Sequence, residues 1–210
     1  MLEGYLGVIR FDLIMESIAM ILAFIIAFFA FRAYRVTDMK PFLYLGVGFL
    51  LMGIGMLSRV ASISYILWLM RFTDWPTTVF RRMIQSAEMT YSGLRVASYV
   101  VFAATYGYAS TRRLSASMAV LPLQVLVYSP LFEMVSALLL AFVVAWTGIN
   151  YAQNKTTESG LVLLGFSLLL LSHVFFVFTP IAAGFYFSGH LLQLLALCFV
   201  MSAVVRASRI

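Results

Sequence analysis

Long apolar runs along the chain stop at short clusters of Arg, Lys, Pro and Gly, and that punctuation sets the expected elements. A helix that crosses ~30 Å of hydrocarbon needs ~20 mostly apolar residues, because each adds ~1.5 Å of rise. The first such run covers about 13–31 and stops at Arg32, Arg35 and Lys40. The second, about 42–64, follows Pro41, a residue suited to the first turn of a helix. The segment 65–82 mixes aromatic and charged residues around Trp68, Trp75 and Pro76, and is expected to be an interfacial loop or short surface helix. The third run, about 85–109, ends at Arg112 and Arg113. A long stretch from Ser117 to Tyr151 is interrupted at Ser129-Pro130. The last two runs, about 160–178 and 185–205, are separated by Thr179-Pro180 and Gly184.

The interruption at Ser129-Pro130 decides between six spans and seven. With spans at about 115–129 and 130–151, one side of the membrane receives Arg32, Arg35, Lys40, Arg112, Arg113, Lys155, Arg206 and Arg209. Six spans would send Lys155, Arg206 and Arg209 to the other side. Cytoplasmic loops concentrate Lys and Arg. The expected fold is therefore an all-α integral membrane protein, a seven-transmembrane-helix bundle with its N-terminus outside and C-terminus cytoplasmic. The fourth span is short and contains Pro122, so it must thin the bilayer locally or sit within the bundle.

Composition removes the soluble alternatives. The chain is 63 % hydrophobic and 10 % charged, whereas a globular domain carries about 45–50 % apolar and about 25 % charged residues. Too few polar side chains exist to cover a water-facing surface, which also excludes a disordered chain and a nucleic-acid binder. The +6 net charge then reads as topology signal rather than as an acidic-partner site. The single cysteine, Cys198, forms no intrachain disulfide. The expected surroundings are the lipid bilayer, with another membrane subunit or a second copy as the partner.

An internal echo accompanies the spans. Leu22–Phe28 resembles Leu140–Trp146, Gly48-Phe49 matches Gly165-Phe166, Ser58-Arg59 parallels Ser172-His173, and Glu16 corresponds to Glu133. Three spans, a linking span and three more would make a 3+1+3 parallel pseudo-repeat, an arrangement that places sites at the repeat interface.

Candidate chemistry lies in the ionisable residues at membrane depth, which face a bundle interior and pair or bind something. In the third span Gln85, Glu88, Ser92, Arg95 and Tyr99 recur every three or four residues and so share one helix face, a stripe that cannot face lipid. This face is expected to put the third span at the centre of the bundle. Asp12 and Glu16 open the first span, Arg59 lies late in the second, Glu133 opens the fifth, and His173 and His190 flank the Pro180 turn. All fall in the outer half. The expectation is an outward-opening polar pocket lined by Glu16, Arg59, Glu88, Arg95, Glu133, His173, His190 and Gln193, binding a small molecule, ion or protons in a transporter or receptor-like protein.

Two other readings use the same residues. His173 and His190 together could ligate a divalent metal or a haem, as in a redox or accessory subunit, with Glu16 or Glu133 as a further metal ligand. Alternatively, the charges only hold helices together, in a purely structural subunit. No HExxH, P-loop, GxSxG or dinucleotide fingerprint is present, and no residue is assigned a catalytic role. Four glycines, Gly46, Gly48, Gly53 and Gly55, mark the second span for close helix contact. The topology is testable by cysteine accessibility: labels at Asp38 and at Asn154 report the same side if there are seven spans, and opposite sides if there are six.

Overall fold

The computed structural model describes residues 2–73, 76–110 and 130–209, and every element in them is a helix. These are α1 (Leu2–Thr37), α2 (Lys40–Phe72), α3 (Thr77–Ser110), α4 (Pro130–Asn154), α5 (Thr157–Val177) and α6 (Ala183–Ala207). Five stretches, within α1, α2, α4, α5 and α6, are long and apolar enough to cross a membrane. This points to a membrane-embedded protein. The expected fourth span, 115–129, lies outside the described residues.

The helices form a closed ring, each packed on its two neighbours in sequence, with α1 closing against α6. This corrects the expectation for the third span: α3 is a member of the ring, packed on α2 and α4, not its axis. Its polar stripe needs only to face inward, and Tyr99 reaches across to His173 on α5.

The faces obey membrane logic. On α1 the outward positions are large, Ile14, Ile18, Ile21 and Phe28, while Ala19, Ala23, Ala27 and Ala30 are buried. Small residues at helix interfaces let backbones approach, which replaces the hydrophobic drive that lipid removes. The glycines of α2 serve the same end. Gly46 and Gly53 receive the Phe31 and Phe24 rings of α1, and Gly48 receives the Phe102 ring of α3. On α5, Gly165 sits against Val200 and the Ala196 carbonyl of α6.

Helix ends follow from short signals. Pro41 lies in the first turn of α2, and the Thr156 side chain caps α5 by accepting from the Ser159 amide at 3.2 Å. α1 and α4 stop alike. Asp38 and Lys155 take positive φ, 53° and 51°, and their amides donate to Tyr34 and Tyr151 carbonyls at 2.8 Å, the left-handed C-terminal stop.

The segment 65–82 departs from expectation. Instead of a surface loop, α2 continues to Phe72 and α3 begins at Thr77. Nothing between Tyr65 and Phe72 breaks a helix, and Ile66 and Leu69 bury against Phe80, with Met83 packed beside them. The extended hairpin thus has a small core of its own. α1 runs well past the expected 13–31 at both ends, and α4, α5 and α6 run two or three residues past theirs at one or both ends.

Below the polar end, the interior is aromatic and aliphatic. The Phe102 ring lies 4.8 Å from Phe49 and 5.3 Å from Phe166, centroid to centroid. Met52, Leu140, Leu169 and Leu197 fill the remaining space. A methyl group at Gly165 would sit 2.6 Å from Val200 Cγ2, so Gly165→Ala should cost about 1–3 kcal/mol of stability. Gly93 has nothing within 4 Å of that position, and Gly93→Ala should be neutral or stabilising by up to about 1 kcal/mol. Thermal unfolding of the two purified variants beside the parent checks both signs.

Candidate functional site

The site sits where six helices bring ionisable residues to one level. Counting from each helix's end at the Arg/Lys-rich side, Glu16, Arg59, Glu88, Arg95, Glu133, His173 and His190 all lie about 22–33 Å along their axes at ~1.5 Å per residue. Sequence spread them over six spans. Folding makes them one cluster.

Arg59 is the hub. Its Nη2 donates to Asp12 Oδ2 at 2.8 Å, its Nε donates to Glu88 Oε1 at 2.7 Å, and its Nη1 pairs with Glu16 Oε2. Three carboxylates from α1 and α3 therefore share one guanidinium from α2. Charge-assisted bonds of this kind are the strong ones, and the fork of N–H groups suits several acceptors at once. Formally, this part of the site carries two more negative charges than positive ones.

A second line of bonds runs across the ring. Arg95 on α3 pairs with Glu133 Oε1 on α4. Glu133 Oε2 lies 2.6 Å from His173 Nδ1 on α5, and the Tyr99 hydroxyl lies 2.6 Å from His173 Nε2. Because the carboxylate can only accept, Nδ1 carries the proton and Nε2 accepts from the Tyr99 hydroxyl. Both ring nitrogens of His173 are thus committed.

His190 belongs to the first group instead. Its Nε2 stands 3.1 Å from Asp12 Oδ1, within ion-pair distance but without the alignment of a hydrogen bond. The Phe176 ring touches both imidazoles, 6.0 Å from His173 and 5.0 Å from His190. The two histidines are engaged by different carboxylates. Among the described residues, no group of three or more His, Cys, Asp or Glu side chains is arranged to hold a metal ion.

Between the two bond systems lies a cavity of about 220 Å³. Its charged lining is Asp12, Glu16, Arg59, Glu88, Arg95 and Glu133, with His190 and Gln193 on α6. Phe132, Phe176, Val177, Pro180 and Tyr186 supply apolar wall. His173 is not in this lining; it stands behind Glu133, 2 % exposed. The Tyr91 ring takes both guanidinium groups, with Arg59 Cζ at 5.3 Å and Arg95 Cζ at 4.9 Å from its centroid. That contact lets two cations lie near one another at the edge of an electron-rich face.

Seven of the eight expected pocket residues line the cavity, and His173 supports one of them. Gln85, read as part of the same stripe, is instead exposed and faces a separate groove with Met70, Phe80, Arg81 and Ile84. Asp12, Tyr91 and Tyr186 line the cavity but were not assigned to the pocket from sequence. Each lies four residues from an assigned one (Glu16, Arg95 and His190), so the one-turn rule that groups residues on a helix face would have found them.

Together, fold and site define a multi-helix membrane-embedded protein with a buried ion-pair cluster at one end. A family model described as a family of unknown function (DUF7521) matches residues 13–71, the stretch that carries Glu16 and Arg59. No curated protein and no solved structure matches the chain.

Removing Arg59 leaves three facing carboxylates without their shared cation. Arg59→Met should cost about 3–5 kcal/mol. Adding Glu16→Gln to that variant should recover part of the loss, because one of the stranded charges is gone. Thermal midpoints of the single and double variants test this; a double variant less stable than the single one contradicts the shared-cation account.

Proposed function

We propose that this chain is a seven-span membrane protein, N-terminus outside and C-terminus cytoplasmic, whose outer polar pocket binds a small cation or protons and fills and empties from the same side, as in a receptor or an accessory solute-binding subunit. The observation that carries the reading is the Arg59 hub: three carboxylates on one guanidinium, beside a cavity of about 220 Å³. The local excess of negative charge favours a positively charged occupant.

Seven spans are supported by helix direction. Phe102 and Phe166 meet below Tyr99 and His173, so α3 runs opposite to α5, as α4 does, and α3 and α4 are parallel. Ser110 and Pro130 then fall at opposite ends of the bundle, and residues 111–129 have to connect them. The basic ends of the helices support the orientation.

A 3+1+3 parallel pseudo-repeat is supported by function-like equivalences. Residues 16 and 133, 34 and 151, 38 and 155, and 48 and 165 stand at one and the same separation. Glu16 bonds Arg59 as Glu133 bonds His173. Between halves, Arg95 of the third helix meets Glu133 as His190 of the sixth meets Asp12. A site at such a repeat interface is a common arrangement in small transporters. Here the Phe49, Phe102 and Phe166 floor argues against a path onward to the inner side. The buried hydroxyls at Ser98, Thr105, Thr147 and Ser172 bond to backbone carbonyls of their own helices.

Binding to the folded state raises stability by linkage, about 2.7 kcal/mol at a hundredfold excess over Kd. At constant ionic strength, small inorganic or organic cations should raise the thermal midpoint of the purified protein, and Glu88→Gln should reduce that shift. A midpoint that ignores alkali, ammonium and amine salts and is flat between pH 5 and 8 overturns the reading.

A further inference from the structure

The cavity is not lined as a bare-ion site would be. An alkali ion or a proton needs a few oxygen atoms, not a volume larger than the ~150 Å³ that accepts a benzene, and not the Phe132, Phe176, Val177, Pro180 and Tyr186 surfaces that line this one. Carbon skeleton belongs against those walls. Phe176 and Tyr186, with ring centroids 6.2 Å apart, both line the cavity, and aromatic side chains hold organic ammonium groups over their faces.

Two polar atoms of residues that line the cavity call for an acceptor rather than a cation. Arg95 is 5 % exposed, and its Nε–H, unlike the group that holds Glu133, has no hydrogen-bond partner. Thr179 Oγ1, in the turn between α5 and α6, is buried and likewise without one. Both residues line the same cavity as the acid-rich Arg59 cluster. Buried donors left without acceptors are costly, about 1–3 kcal/mol each, and in native proteins such groups are met by a water, an ion or a ligand.

We propose that the pocket takes an organic ammonium ion that also carries a hydrogen-bond acceptor, its cationic head toward Asp12, Glu16 and Glu88 and its acceptor oxygen toward Arg95 Nε and Thr179 Oγ1. This rests on the cation-binding reading above and narrows it to a chemical class. An amino alcohol or an ethanolamine-type lipid headgroup has this pattern: a positive nitrogen, a short carbon link and an oxygen. The opposed placement of excess acid and unpaired donors within one cavity selects such a molecule over both a simple amine and a simple anion.

The test compares two isosteric probes, ethanolamine and propylamine, titrated calorimetrically into the full-length protein in nanodiscs of phosphatidylglycerol alone. Ethanolamine should bind at least tenfold more tightly than propylamine, a difference of about 1.4 kcal/mol. Thr179→Val should bring that ratio below about threefold while leaving propylamine affinity unchanged. Glu88→Gln should weaken both probes alike. Repeating the titration in discs that contain phosphatidylethanolamine separates the sources: loss of free-ethanolamine binding assigns the site to the headgroup, and retention assigns it to a free solute. Either outcome upholds the class. Equal affinities for the two probes overturn the acceptor half of the proposal while amine binding stands. Failure of both probes, with a midpoint that still responds to alkali ions or pH, overturns the class but leaves the cation reading intact. Failure of both with a flat midpoint removes the two together. Thr179 lies in a turn outside the helical core, so its variant tests the donor without dismantling the Arg59 hub.

Discussion

A guanidinium placed about 29 Å along α2, among helices whose outer faces are lipid-like, has to be neutralised within the protein. Arg59 meets that demand with Asp12, Glu16 and Glu88 at once. The arrangement fixes the axial register of three helices, because a slip of one turn would move a carboxylate ~5.4 Å away from its donor. It also over-compensates. Three acids on one base leave the neighbourhood formally negative, and on the proposed cation-binding reading that surplus sets the preference of the adjacent cavity. One constraint thus sets both helix packing and site character.

The ring then concentrates chemistry at a single end. Polar groups gather above the level of Tyr99, while Phe49, Phe102 and Phe166 close the space beneath it. Side chains in such an apolar floor have no means of passing a charge or a hydrated solute. The Glu133–His173–Tyr99 line descends toward this floor and ends there, so its role fits holding Glu133 in place beside Arg95 better than carrying a proton across. A carboxylate fixed by an imidazole on one oxygen and a guanidinium on the other has little freedom to swing.

On the repeat reading, the two halves solve the same burial problem with different residues. The first half uses arginine at the position where the second uses histidine, and each half lends its third helix to the other half's carboxylate. That asymmetry within a symmetric frame matters. One side of the cavity gains a permanent cation shared three ways, and the other keeps an imidazole behind its acid. The excess acid lines one space together with Arg95 and Thr179, whose Nε and Oγ1 atoms lack a partner.

Much of this was legible in the sequence. Apolar run length gave the membrane setting and the approximate positions of the five long apolar helices, because hydrocarbon thickness and backbone rise leave little freedom. The depth of Glu16, Arg59, Glu88, Arg95, Glu133, His190 and Gln193 predicted a common level, and they do line one cavity. Run length could not see that α2 continues to Phe72 and that α3 already begins at Thr77, since the Ile66, Leu69 and Phe80 contact that holds them lies between two helices, not within one. Nor could periodicity assign partners. It fixed no single partner for Arg95 and brought the two histidines together only in the alternative reading, as ligands of one metal or haem, whereas the ring gave Arg95 to Glu133, His173 to Glu133 and Tyr99, and His190 to Asp12. A helix pattern specifies which face a side chain occupies. Which group it meets across several ångströms of interior depends on the order and rotation of the helices around the ring, and only their mutual packing decides those.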